Sequence, residues 1–178
     1  MNDRLSTDPE SLIIKYGTRD PFRIACLMGH SVKFLKLKRQ KGYCTNILNN
    51  YFIFINENLS LQMQRMVCAH ELGHVILHKD RLRRDESGKI QRIIEMELFD
   101  IKDRTEYEAN LFAAGLLIDT DEMMGYLREG YDIVQTASSL DVNVNLLALK
   151  LSRMMDADLP FPVNSQFLGK IEDRAGSI

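Results

Sequence analysis

The sequence predicts an α+β fold in which a small antiparallel or mixed sheet packs on a mainly helical core, with further helices toward the C-terminus. Three observations carry that prediction. Alternating apolar residues fill the stretch from Ser31 to Asn56, the apolar period lengthens to about 3.6 residues from Leu59, and the later segments keep the helical period.

Each element has a local cause. "PESLIIKYG" reads as a short helix stopped at Gly17. "RDPFRIACLMG" reads as a second, with Asp20 as N-cap, Pro21 in the first turn and Gly29 as a left-handed stop. "SVKFLKLK" interleaves lysines with β-formers, the pattern of an edge strand protected from stray pairing. "GYCTNIL", Asn49-Asn50 and "YFIFIN" predict a hairpin, because asparagine tolerates the positive φ of a tight turn. In its second arm both alternating sets, Tyr51/Ile53/Ile55 and Phe52/Phe54, are apolar, which predicts cover on both faces. Leu61, Met63, Met66, Val67, Leu72, Val75 and Ile76 then mark a long helix ending near His78.

The charged loop "KDRLRRDESGKIQR" leads to "IIEMELFDI", which suits either a strand or a short helix. "RTEYEANLFAAGLLI" is helical, with Ala109, Phe112, Ala113, Leu116 and Leu117 on its packing face. Helices follow at "TDEMMGYLREG" and within "DIVQTASSLDVNVNLLALKLSRMM". A length of 178 residues fits one domain, taken as 1–160, with a partly loose tail at 161–178.

Composition removes several function classes. A net charge of -2 gives no field for grasping nucleic acid, and the basic runs Lys33 to Lys41 and Lys79 to Arg84 read as solvated edges. No apolar run approaches the roughly 18 residues of a membrane span, so a soluble cytoplasmic protein is expected. The cysteines Cys26, Cys44 and Cys68 are odd in number and form no CxxC pair, which points to buried thiols rather than a disulfide framework or a zinc knuckle. Nine methionines, including Met123, Met124, Met154 and Met155, are expected mostly in the core.

The chemistry is concentrated in "VCAHELGHVILH". Residues four apart on a helix differ by about 40° in direction and about 6 Å in height, so His70 and His74 can aim both imidazoles at one point. Glu71 is misdirected for ligation but can reach a water held there, which suits a general base. A chance HExxH match in this composition has a probability of about half a percent. His78 lies about 12 Å along the axis from His70, too far to share one ion, and is assigned to the helix C-terminus. The longer pattern with a histidine ten positions after the first is absent, because Asp80 stands there.

A hydrolytic zinc site takes three protein ligands and keeps one position open. Glu106 falls on one helical line with Ala109, Asn110 and Ala113, whereas Glu108 lies about 200° from it. Glu106 is therefore the expected third ligand and Asn110 the group that hydrogen-bonds a ligating histidine, with Glu108 the alternative acid. Because histidine must be neutral to ligate, metal affinity is expected to fall below about pH 6.

The segment "FINENLSLQMQRMVCAHELGHVILH", followed after a gap by "EYEANLFAAGLL", resembles the ImmA/IrrE family of metallopeptidases over about Thr18 to Lys150. The resemblance implies a minimal gluzincin-like fold, with zinc held by His70, His74 and Glu106 and Glu71 as the catalytic residue. It also implies a protein substrate, a helix-turn-helix repressor of a phage or mobile element. Many relatives carry a proline soon after the Leu-Leu pair; this chain reads "LLIDTDE", so Asp119 or Thr120 is expected to cap the next helix.

Tyr107 and His30 are the candidates for stabilising an oxyanion, and the hairpin strands around Cys44 or Tyr51 are the candidate edge for an extended substrate. The rival from another class is a DNA-binding regulator, because "IVQTASSLDVNVNLLALKL" has the shape of a helix-turn-helix. Its second helix offers Asn143, Asn145, mostly leucines and the basic Lys150, a poor surface for phosphates. A third reading is a metal-binding regulatory protein that binds a repressor or DNA without proteolysis.

Overall fold

The computed structural model describes residues 7–48, 50–82, 92–95 and 104–155. It opens with two short helices, α1 (Pro9–Tyr16) and α2 (Pro21–Leu27), each led by an aspartate. The Asp8 carboxylate accepts from the Ser11 amide at 3.0 Å and that of Asp20 from the Phe22 amide at 2.9 Å. Gly29 follows α2 at φ 81°, a conformation that glycine adopts without steric penalty.

Strands β1 (Ser31–Leu35), β2 (Gly42–Ile47) and β3 (Asn50–Asn56) lead into α3 (Leu61–Leu77), then a 3-10 turn at Lys79–Leu82 and strand β4 (Arg92–Glu95). Helices α4 (Arg104–Leu117), α5 (Thr120–Arg128), α6 (Ile133–Ser139) and α7 (Val144–Met154) complete the described chain. The expected α+β architecture with a mixed sheet is present. Residues 1–6, most of the charged loop at 83–91, the part of "IIEMELFDI" beyond Glu95 and the tail at 161–178 lie outside the described residues.

Across the sheet the order is β1-β3-β2-β4, with β1 parallel to β3 and the other neighbours antiparallel. The lysine-bearing β1 is at an edge, as its composition predicts. Ile47 pairs with Asn50, so Asn50 belongs to the strand rather than the turn, and Leu48 takes a positive φ of 52°. Asn49 lies outside the described residues. Burial dictates this register, which sets Cys44 opposite Ile53 with both fully buried; a slip of one residue would turn either strand's apolar set to the other face.

Two expectations about the sheet are corrected. Strand β3 is not equally covered on its two faces: Ile53 and Ile55 are fully buried, whereas Phe52 and Phe54 are half-buried. On that second face Phe54 stacks on Tyr43 with ring centroids 4.6 Å apart, so aromatic rings shelter one another along the strands. An all-apolar strand pattern does not distinguish this from burial beneath another layer. Nor do the hairpin strands offer an edge, since β3 lies between β1 and β2, and β2 lies between β3 and β4. The edges are β1 and β4; β4 reaches the sheet from beyond α3, so sequence adjacency gave no sign of it.

Helix α3 runs between the sheet and α4, and every residue from Met66 to Ile76 is buried. A helix covered all round carries no single apolar stripe. Its start is fixed by Ser60, whose hydroxyl accepts from the Met63 amide at 3.2 Å. Beyond α4, Asp119 caps α5, accepting from the amides of Asp121 and Glu122 at 3.0 Å each, so an aspartate does the work of the missing proline. Arg19 donates to the carbonyls of Gly115 and Leu116 and pairs with Asp119 at 3.0 Å, which ties the end of α4 to the N-terminal helices.

Helices α6 and α7 do form two arms around a turn, but α7 packs on α4 with Leu146, Leu147 and Leu149 buried. Lys150 is buried too, donating to the Ile118 carbonyl, and so presents no cation to a phosphate backbone. Cys44 and Cys68 are buried, Cys26 is exposed and none is in a disulfide. Met123 is buried, whereas Met155 is 75% exposed, so the methionines divide between core and surface. Among the described residues no helix is long and apolar enough to cross a membrane.

Candidate metal centre

The HELGH segment places three polar side chains, His70, Glu71 and His74, in the most enclosed stretch of the molecule, all with no exposed area. Burying such groups costs several kcal/mol each unless they are satisfied, about 2–7 by transfer measures, so their presence marks a working site. His70 and His74 turn toward each other with their Nε2 atoms 3.0 Å apart. Glu106, from the first turn of α4, brings Oε2 to 3.2 Å from His70 Nε2 and Oε1 to 3.4 Å from His74 Nε2.

These are the donors of a potential metal site among the described residues, and Glu108, His30 and His78 are not part of the group. Tetrahedral zinc with bonds of about 2.0–2.1 Å needs donor atoms about 3.3 Å apart. The two imidazole nitrogens, 3.0 Å apart, each have one Glu106 carboxylate oxygen at 3.2 and 3.4 Å, so the neighbouring donors already stand near that spacing.

The crossing of α3 and α4 makes this possible. A Cβ on Gly73 would lie 3.2 Å from the Cα and carbonyl oxygen of Ala109 and 3.2 Å from Phe112 Cβ, so the helices touch backbone to backbone there. Asn110 lies one turn beyond Glu106, buried, with Oδ1 2.8 Å from His70 Nδ1. As a carbonyl oxygen accepts, that bond holds the proton on His70 Nδ1 and leaves the Nε2 lone pair facing Glu106.

Burial lowers the pKa of His74 to about 4, despite the opposing pull of Glu106, so the ring is neutral over the physiological range. Glu106 is itself pushed up by burial, but hydrogen bonds with His70 and His74 outweigh this and hold it below the usual carboxylate range. The expected onset of proton competition near pH 6 thus moves toward 4 at His74, because the buried ring resists charging.

His30 behaves alike: burial, then the charge of Lys79, lowers its pKa to about 4, with its ring edge-on to Tyr51. Tyr107 is half-buried on α4 beside Glu106. Between the ordinary imidazole value of 6.5 and about 4, the unfolded chain binds protons at His30 and His74 that the folded chain does not. Stability of the metal-free protein is therefore expected to fall as pH drops through that window. Urea midpoints measured at about pH 7 and about pH 4.5 test this, and equal midpoints would contradict the burial of the two rings.

Sequence reading missed the groups that surround Glu71. The buried Cys44 thiol of β2 faces its carboxylate, and burial, then the Glu71 charge, raises the Cys44 pKa well above the ordinary thiol value. A Cβ on Gly42 would stand 2.5 Å from Val67 Cγ1 and 3.3 Å from Glu71 Oε1, so the bare backbone of β2 makes room for the carboxylate. The one sequence signal was the β2 alternation, which puts Gly42 and Cys44 on the same face.

A mixed sheet, a buried HELGH helix and a glutamate from a later helix closing on both imidazoles define a metallopeptidase. Residues 27–152 match the family described as the IrrE N-terminal-like domain. The chain is 32% identical over 155 residues to the metallopeptidase ImmA of Bacillus subtilis (strain 168), covering 82% of each chain. It is 30% identical over 142 residues to the uncharacterized immunity region protein 2 of Bacillus phage phi105, covering 79% of this chain and 85% of that one. The chain belongs to the ImmA/IrrE family of metallopeptidases.

Proposed function

We propose that the chain is a cytoplasmic zinc endopeptidase that cleaves a helix-turn-helix repressor of a phage or mobile element. The observation that carries the chemistry is the convergence of His70, His74 and Glu106 at zinc-like spacing, with the buried Glu71 beside them. A relative named for a phage immunity region supports the regulatory setting.

In this reading His70, His74 and Glu106 hold the ion, and Asn110 keeps His70 in the ligating tautomer. Zinc held there supplies Lewis acidity, which brings the pKa of water toward about 7 and polarises a carbonyl. Glu71 takes the proton of the attacking water on its carboxylate and returns it to the leaving amine. Cys44, whose thiol burial and the Glu71 charge keep protonated, adds no second negative charge beside that carboxylate. An extended repressor segment adds to a sheet edge, and β4 is the nearer one because it flanks β2, the strand that carries Gly42 and Cys44.

The test is to incubate the zinc-loaded protein with the repressor encoded beside its gene. Discrete fragments that disappear on chelation are expected; an intact repressor under zinc-saturated conditions would overturn the substrate assignment. His70→Ala is expected to lose zinc binding and cleavage together, measured as metal content after dialysis alongside the same assay.

A further inference from the structure

His78 and Glu108 look irrelevant to the metal by spacing, yet both point into the centre's surroundings. His78 Nδ1 lies 3.2 Å from His74 Nδ1, and His78 Nε2 lies 3.1 Å from Glu108 Oε2. The other oxygen of Glu108 accepts from Arg104 Nε at 2.6 Å. The series runs outward, from a His74 side chain with no exposure through His78 at 10% to Glu108 at 36%.

We propose that Glu108 and His78 are positioning residues that set the tautomer of His74, an inference that rests on reading the site as a zinc site. Two ring nitrogens in hydrogen-bond contact share one proton, so one donates and the other accepts. If His74 is to direct its Nε2 lone pair at the ion, its Nδ1 must carry the proton and His78 Nδ1 must accept it. That requires the His78 proton on Nε2, where the Glu108 carboxylate receives it.

The Glu108 carboxylate, partly exposed and paired with Arg104, is an acceptor only at neutral pH. In the opposite arrangement, a proton on His78 Nδ1 would force the His74 proton onto Nε2 and close that position to metal. Asn110 does for His70 in one bond what His78 and Glu108 do for His74 in two. In both cases α4 supplies the acceptor and α3 the imidazole. Glu108 is off the Glu106 and Asn110 line, and for that reason it meets the last turn of α3 rather than the ion.

The experiment uses zinc alone, with affinity measured by competition against a chromogenic chelator, and long-range proton–nitrogen NMR of the imidazoles at neutral pH. His78→Ala is expected to weaken zinc binding about 10–100-fold, as losses of groups that orient ligands do. His78→Gln, whose amide oxygen can accept from His74 Nδ1, is expected to recover a large part of that loss. Glu108→Gln is expected to weaken binding by an intermediate factor. In the metal-free parent, the spectrum should show His74 protonated on Nδ1 and His78 on Nε2.

A parent that binds zinc while His78→Ala and Glu108→Gln bind it within about twofold of the parent overturns the proposal, as does a proton found on His78 Nδ1. If His78→Ala fails to fold, Glu108→Gln at its partly exposed position decides. A parent that binds no zinc defeats the metal reading instead, and the tautomers of the metal-free protein still judge the relay.

Discussion

Glu71→Gln is expected to lower kcat for peptide cleavage by about 10²- to 10⁴-fold while leaving zinc affinity unchanged, the range that loss of a general acid–base group produces. The reasoning is steric as much as chemical. Glu71 is fully buried, with Gly42 and Cys44 of β2 closing over it, and glutamine fills the same volume. The amide cannot take a proton from water, and position 71 is outside the His70, His74 and Glu106 group that could hold a metal.

Replacing a buried carboxylate by a neutral isostere also removes a desolvation cost, so the thermal midpoint is expected to stay level or rise. Zinc content by atomic absorption, a melting curve and single-turnover cleavage of the proposed repressor substrate check the three parts separately. Cleavage by the variant at the parental rate would remove Glu71 from the reaction.

The parts of this molecule that were legible in the sequence are those written within one element. His70 and His74 are one turn apart, so their convergence follows from helix geometry, and the same arithmetic puts Glu106 and Asn110 on one line of α4. Asp20 and Asp119 announce helix starts because a cap is a contact over two or three residues.

Apart from the approach of Glu106 and Asn110 to α3, which was anticipated, what failed depends on how two elements meet. A helical wheel shows that Glu108 points away from Glu106, but not that the neighbouring helix ends with His78 at that spot. The strand order is invisible until β4, supplied from beyond α3, takes the place beside β2. Cys44 read as a small hydrophobe, since nothing in its own strand reveals that the facing helix presents Glu71. Even the apolar face of Phe52 and Phe54, correctly seen as apolar, gave the wrong cover, because burial belongs to the layer opposite.

The contact between Gly73 and Ala109 carries the same dependence into the chemistry, and Gly73→Val is expected to weaken zinc binding by about two orders of magnitude with every residue of the His70, Glu71, His74 and Glu106 set intact. The atoms that a side chain at position 73 would meet at 3.2 Å are the Cα and carbonyl of Ala109 and the Cβ of Phe112, none of which can rotate away. Helix α4 must shift, and Glu106, three residues before Ala109, shifts with it. A displacement of about 1 Å is enough to spoil a geometry whose donors now stand 3.0 to 3.4 Å apart.

Overpacking of this kind costs about 1–3 kcal/mol in stability, so the valine variant should also unfold at lower urea. Gly73→Ala separates the two effects. Alanine gains about 1 kcal/mol over glycine in a helix interior, which offsets the smaller strain, so the urea midpoint should move little while zinc affinity still falls. Parental zinc affinity in the valine variant would show that α4 is held by something other than its contact with Gly73.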